Sequence, residues 1–135
     1  MNILYNFIKI FFHLINIVVI IFYLYPGSIL GWLLYGDLAI QPNLTADFLK
    51  ISSNHFYVFS LLTFSGIIAY YQSKKINFIL KYLLSISILL EFFHFIIPKR
   101  SFQLEDLVGN FFGFILVYLL YKVWKIIIKK KENNL

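Results

Sequence analysis

The sequence predicts an all-α membrane protein with four transmembrane helices and a long external loop. Three observations carry this. Of 135 residues, 61% are hydrophobic and only 13% charged, against about 45–50% and about 25% in ordinary globular domains. The apolar residues fall into four runs of near-spanning length, and the basic residues sit in blocks that alternate with them. A water-soluble fold this small leaves much of its chain at the surface and cannot hide that much apolar area. A soluble enzyme is thereby excluded, as is intrinsic disorder, which requires low hydrophobicity. With no cysteine there is no disulfide, thiolate metal site or cysteine nucleophile.

A helix needs about 20 apolar residues to cross a hydrocarbon core of about 30 Å. The first run, Tyr5–Tyr25, is interrupted by Lys9, His13 and Asn16. No small-residue cleavage site follows it, and Tyr-Leu-Tyr-Pro-Gly at 23–27 does not suit signal peptidase, so a permanent span is expected. The loop from Pro26 to Asn54 contains Ile29–Ile40, with Trp32 and Tyr35. That stretch is too short to span and reads as an interfacial or re-entrant segment. Thr45-Ala46-Asp47 reads as the opening of a second short helix. The second span is His55–Tyr71. The third is Ile76–Ile97, stopped by Pro98. The fourth is Leu107–Ile128, with Lys122 and Lys125 able to snorkel from its end. No repeat, heptad register or low-complexity linker divides the chain, which reads as one domain over residues 1–135.

With four spans, Lys9, Lys74, Lys75, Lys81, Lys122, Lys125 and Lys129–Lys131 share one side. Lys50, Lys99 and Arg100 lie on the other, with Asp37, Asp47, Glu105 and Asp106. Nine basic residues against three place both termini in the cytoplasm by the positive-inside rule. Cations in blocks between apolar runs do not form the basic face that nucleic acid needs. Eleven Lys against one Arg, with many Ile and Asn, suggest an AT-rich bacterial genome and hence a bacterial inner membrane.

Ionisable groups inside a bilayer are costly and point to function. Glu91, His94 and Ser87 share one helical face by their spacings of three and four. Asp106, Gly109, Asn110 and Gly113 share another. His55 opens the second span, on a face continued by Phe59, Thr63 and Gly66. Arg100 sits in the turn between the third and fourth spans. This topology brings His55, Glu91, His94, Arg100 and Asp106 to the external side, and convergence favours a site. Within it His55, Glu91 and Asp106 are the candidate catalytic acids and bases. Arg100, His94, Asn110 and Gly113 are the candidate ligand contacts, with Arg100 holding a phosphate or carboxylate. The structural alternatives are an Arg100–Glu91 ion pair joining two helices, Asn110 as an interhelical clamp, and Gly109 and Gly113 as packing residues. His13 and Asn16 read as satisfied inside the bundle, and the basic tail as a topology anchor. Glu91-Phe-Phe-His94 has the Glu-x-x-His spacing of carboxylate metal bundles, but those need it twice. His55, His94, Glu91 and Asp106 could surround one zinc, yet the single motif leads us to assign no metal and no cofactor.

At these residues the chain resembles the VanZ-like family of bacterial membrane proteins. The match runs through Glu91-Phe-Phe-His94-Phe-Ile-Ile-Pro98-Lys-Arg100, then Asp106, Asn110 and Gly113 at helical spacing. Ser53-Asn54-His55-Phe56-Tyr57 is a second match and Pro26-Gly27-Ser28 a weaker third. The sequence departs from the family pattern in two places: His94 stands where Gln is usual, and Ser53-Asn54 where Asp-Lys is usual. The resemblance implies a context of low-level resistance to teicoplanin.

The expected function is the binding or processing of an envelope lipid or lipid-linked glycan at the outer leaflet, with membrane lipids as partners. Two other classes stand beside it: a non-catalytic accessory subunit of a membrane complex, and, ranked last, a proton-coupled small transporter. Four spans would need a homo-oligomer to form a transport pathway.

Overall fold

The structure, a computed structural model, describes residues 3–43, 45–47 and 51–133. These residues form five helices, α1 (Ile3–Leu24), α2 (Ile29–Tyr35), α3 (Ser53–Tyr70), α4 (Ile76–Phe93) and α5 (Leu104–Glu132). No strand occurs among the described residues.

Three of the helices, α1, α4 and α5, are long and apolar enough to cross a membrane. Their 22, 18 and 29 residues correspond to about 33, 27 and 44 Å at 1.5 Å per residue. The fourth long helix, α3, matches α4 in length but falls short in apolarity. The shortfall comes from its polar first turn, Ser53-Asn54-His55. The helix packs on α1, α4 and α5 and buries Phe59, Leu62, Thr63, Gly66, Ile67, Ala69 and Tyr70. Phe12, Phe59, Leu62 and Leu83 fill the centre of the bundle. The outside carries large apolar side chains, with Phe7 63%, Phe78 69% and Ile126 68% exposed. A surface so apolar suits hydrocarbon and would be a liability in water.

The helix ends differ from expectation in three places. The third run was expected to be helical to Ile97, but α4 ends at Phe93. From there the chain tightens into i→i−3 turns, with the amides of His94, Phe95 and Ile96 bonded to the carbonyls of Glu91, Phe92 and Phe93. Pro98 disfavours helix in the residue before it, and Lys99 then takes a left-handed conformation (φ 61°). The fourth helix starts earlier and ends later than Leu107–Ile128. Its first turn thus holds Glu105 and Asp106 and its last Lys129, Lys130 and Lys131, signs that suit the helix dipole. Third, Thr45–Asp47 is not helical. The Asp47 carboxylate instead accepts the Ser53 amide (2.9 Å), and the Thr45 carbonyl accepts the Ser53 hydroxyl (2.8 Å). The segment caps α3 from outside. The rest of the expected second short helix, 48–50 with Lys50, lies outside the described residues.

Within the long loop, Gly27 (φ 98°) turns the chain. A Cβ there would lie 2.9 Å from the Leu38 carbonyl oxygen, the group that accepts the Ser28 amide at 2.7 Å. Ser28 then caps α2, its hydroxyl accepting from the Gly31 amide, and left-handed Gly36 ends it. This helix presents Trp32, Leu33, Leu34 and Tyr35 to the outside.

Candidate functional site

The C-terminal ends of α1 and α4 and the N-terminal ends of α3 and α5 meet at one end of the bundle. There Glu91, His94, Asp106 and Asn110 are buried, and Glu91 and Asn110 are fully so. The close approach of α3 and α5 makes the cluster possible. A Cβ on Gly109 would lie 2.7 Å from the Ser52 carbonyl oxygen and 3.0 Å from the His55 Cβ. One on Gly113 would collide with the Phe56 carbonyl oxygen. Gly113 therefore faces α3, and the neighbour it admits is a helix. The Ser52 amide donates to the Glu105 carbonyl at 3.2 Å, fixing the two helix starts side by side.

Two histidine–carboxylate pairs result. His55 Nε2 lies 3.4 Å from Asp106 Oδ2, and His94 Nδ1 lies 3.1 Å from Glu91 Oε2. Each ring is held through its other nitrogen. His94 Nε2 is 3.0 Å from the Tyr23 carbonyl oxygen, which can only accept, so that nitrogen carries the ring proton. His55 Nδ1 is 3.1 Å from Asn110 Oδ1 and 3.0 Å from Tyr23 Oη. The Tyr23 hydroxyl already donates to Asn110 Oδ1 at 2.6 Å, so Nδ1 carries the ring proton there too. Each ring thus turns its remaining nitrogen to a carboxylate. Glu91 Oε2 receives no hydrogen bond, and His94 Nδ1 at 3.1 Å is its ion-pair contact. The other oxygen, Oε1, accepts the Gln103 amide at 2.9 Å.

Tyr23 is the residue that sequence reasoning missed. Its hydroxyl and carbonyl serve Asn110, His55 and His94, and its ring stacks on that of His94 (6.0 Å, 16°). A tyrosine near a membrane interface reads as a belt residue, and nothing in the spacing separates it from nine others.

Arg100 corrects a second expectation. The ion-pair contacts of Glu91 and Asp106 are with histidines, not with the arginine. Instead Arg100 donates through Nη2 to the Phe22 carbonyl (2.8 Å) and through Nε to the Tyr25 carbonyl (3.2 Å). These are carbonyls at the end of α1, where helices leave acceptors unfilled and favour a cation. Burial lowers the pKa of Arg100 from its ordinary value, opposed by Glu91, Tyr23 and Asp106 in that order. Ser87, expected to share the Glu91 face, is buried but donates back to the Leu84 carbonyl and takes no part in the network.

The cluster has an opening. A cavity of about 280 Å³ adjoins it, lined by the polar Tyr23, Asn54, His55, His94 and Arg100 and by the apolar Val18, Val19, Phe22, Ile29, Leu30 and Val58. A second groove of about 550 Å³ runs along α3 and α5 between Phe64, Tyr71, Leu120 and Trp124. It carries none of the ionisable groups. Asp106, Glu91, Asn110 and Gly113 stand behind the first cavity, not on its wall. No protein-family model, curated protein or solved structure matches the chain.

Proposed function

We propose that the chain is a four-span protein of the bacterial cytoplasmic membrane, with both termini cytoplasmic. Its external end binds or processes the polar headgroup of an envelope lipid or lipid-linked glycan. The observation that carries this is the mixed lining of the cavity. It combines a guanidinium and two imidazoles with aliphatic and aromatic carbon, which is the chemistry of a headgroup and the first part of its chain. Arg100 is the contact for phosphate or carboxylate, with His55 and His94 beside it. Glu91 and Asp106, each against a histidine, are the candidate acid and base. Asn110 and Gly113 act by position, one holding His55 and the other admitting α3. The nine-to-three distribution of basic residues supports the orientation, and the exposed aromatic face of α2 suits an interfacial helix. The VanZ-like motifs support a link to glycopeptide resistance.

Native mass spectrometry of the protein in mild detergent tests this. Wild type retains anionic phospholipid, and Arg100→Gln loses about tenfold in retention, the effect of about 1.4 kcal/mol. Equal retention by an Arg100→Gln chain of unchanged helicity contradicts the reading. A second reading, a non-catalytic accessory subunit, is favoured by the way Tyr23, Asn110, His55 and Asp106 close on each other. In that case the double variant Glu91→Leu/His94→Leu keeps cellular function. In the first case it loses it.

A further inference from the structure

We propose that His55, Glu91 and Asp106 form a binding site for one divalent transition-metal ion, with zinc the best fit. One ligand atom from each of the three side chains lies within 4.8 Å of the other two. His55 Nε2 and Asp106 Oδ2 are 3.4 Å apart. A tetrahedral shell with bonds of about 2.0–2.1 Å places neighbouring ligand atoms about 3.4 Å apart, so this pair already has the edge length of such a shell.

Two independent observations point to a cation. First, Glu91 is fully buried, and its Oε2 accepts no hydrogen bond. A buried carboxylate oxygen that accepts no hydrogen bond and has only a histidine nitrogen at 3.1 Å is costly, and a metal removes the cost. Second, the tautomer of His55 is the one a ligand needs. Its Nδ1 proton is directed at Asn110 Oδ1 and Tyr23 Oη, which leaves Nε2 to face the carboxylates. Metal-bound histidines are held in this way, through the far ring nitrogen. One nitrogen and two carboxylate oxygens thus converge, and a divalent ion would be held by all three.

The ligand set has one nitrogen and two carboxylate oxygens, a mixture that zinc accepts. With three protein ligands the fourth position stays open, as in catalytic and not structural sites. Of the three ligands only His55 lines the cavity, and the site does not depend on which headgroup, if any, the cavity takes.

The test uses the full chain carrying a tag without histidines, stripped with chelator in detergent and titrated with zinc and, separately, cobalt. One zinc per chain is expected by elemental analysis after gel filtration, with cobalt giving the visible absorption of a low-coordinate site. Glu91→Gln and Asp106→Asn each weaken zinc binding at least about tenfold, the lower range for disrupting a metal site. Glu105→Gln, at the exposed neighbour of Asp106, leaves it unchanged. Absence of stoichiometric zinc in the wild type overturns the proposal, a result that needs no variant to fold. So does zinc binding that survives both Glu91→Gln and Asp106→Asn. Lipid retention is read in a separate experiment, so either idea can fail alone.

Discussion

Tyr23 bonds to side chains from α3 and α5 and to the residue that ends α4, so the end of the bundle is organised around one phenol and one carbonyl. Removing the hydroxyl leaves Asn110, which is fully buried, without its 2.6 Å donor. The His55 contact at 3.1 Å remains, so the loss is that of one hydrogen bond, about 0.5–1.5 kcal/mol. Tyr23→Phe is therefore expected to destabilise the protein by that amount in denaturant unfolding in detergent. Tyr57→Phe, at an exposed position, stays within about 0.5 kcal/mol. Equal stability of the two variants would contradict the role given to Tyr23. The ionisable members of the site were legible because they are expensive in a membrane. Tyr23 was not, because an interfacial tyrosine is cheap and common. The alternative that paired Arg100 with Glu91 fails for a related reason. Charge pairing suggests a carboxylate, whereas the groups that take the guanidinium are backbone carbonyls 75 and 78 residues away in sequence, and backbone acceptors leave no mark in composition.

Between elements, the decisive contact is that of α3 with α5, and its closeness rests on glycine. Gly113→Ala places a methyl against the Phe56 carbonyl oxygen and 3.0 Å from the Ser60 amide nitrogen, backbone atoms that cannot rotate aside. Overpacking of this kind costs about 1–3 kcal/mol. At Gly66 the same methyl meets Leu83 Cδ1 and Phe12 Cε2, both 3.0 Å away, which are side-chain atoms and not backbone. Unfolding measurements should rank Gly113→Ala as the more damaging variant, and the reverse order would contradict this packing. The small-residue spacing of α5 was readable in the sequence, as was the existence of all four long helices. Their ends were not. Pro98 acts back to Phe93 because the residues before it tighten into i→i−3 turns, a local choice that hydropathy does not encode.

For the whole molecule, the account depends on the polar end of the bundle facing outwards. The charged residues that suggest this orientation lie mostly at the other end, on Lys74, Lys75 and Lys129–Lys131. Every site residue, by contrast, comes from a helix end or turn at the Tyr23 end. If the two ends were exchanged, the cavity would open to the cytoplasm and an outer-leaflet ligand could not reach it. Because the chain has no cysteine, single cysteines report cleanly on sidedness. Ser101→Cys lies in the exposed turn between α4 and α5, and Lys130→Cys lies in the exposed last turn of α5. With a membrane-impermeant maleimide applied to intact cells, Ser101→Cys should label at once and Lys130→Cys only after lysis. Labelling of Lys130→Cys in intact cells with protection of Ser101→Cys would contradict the account.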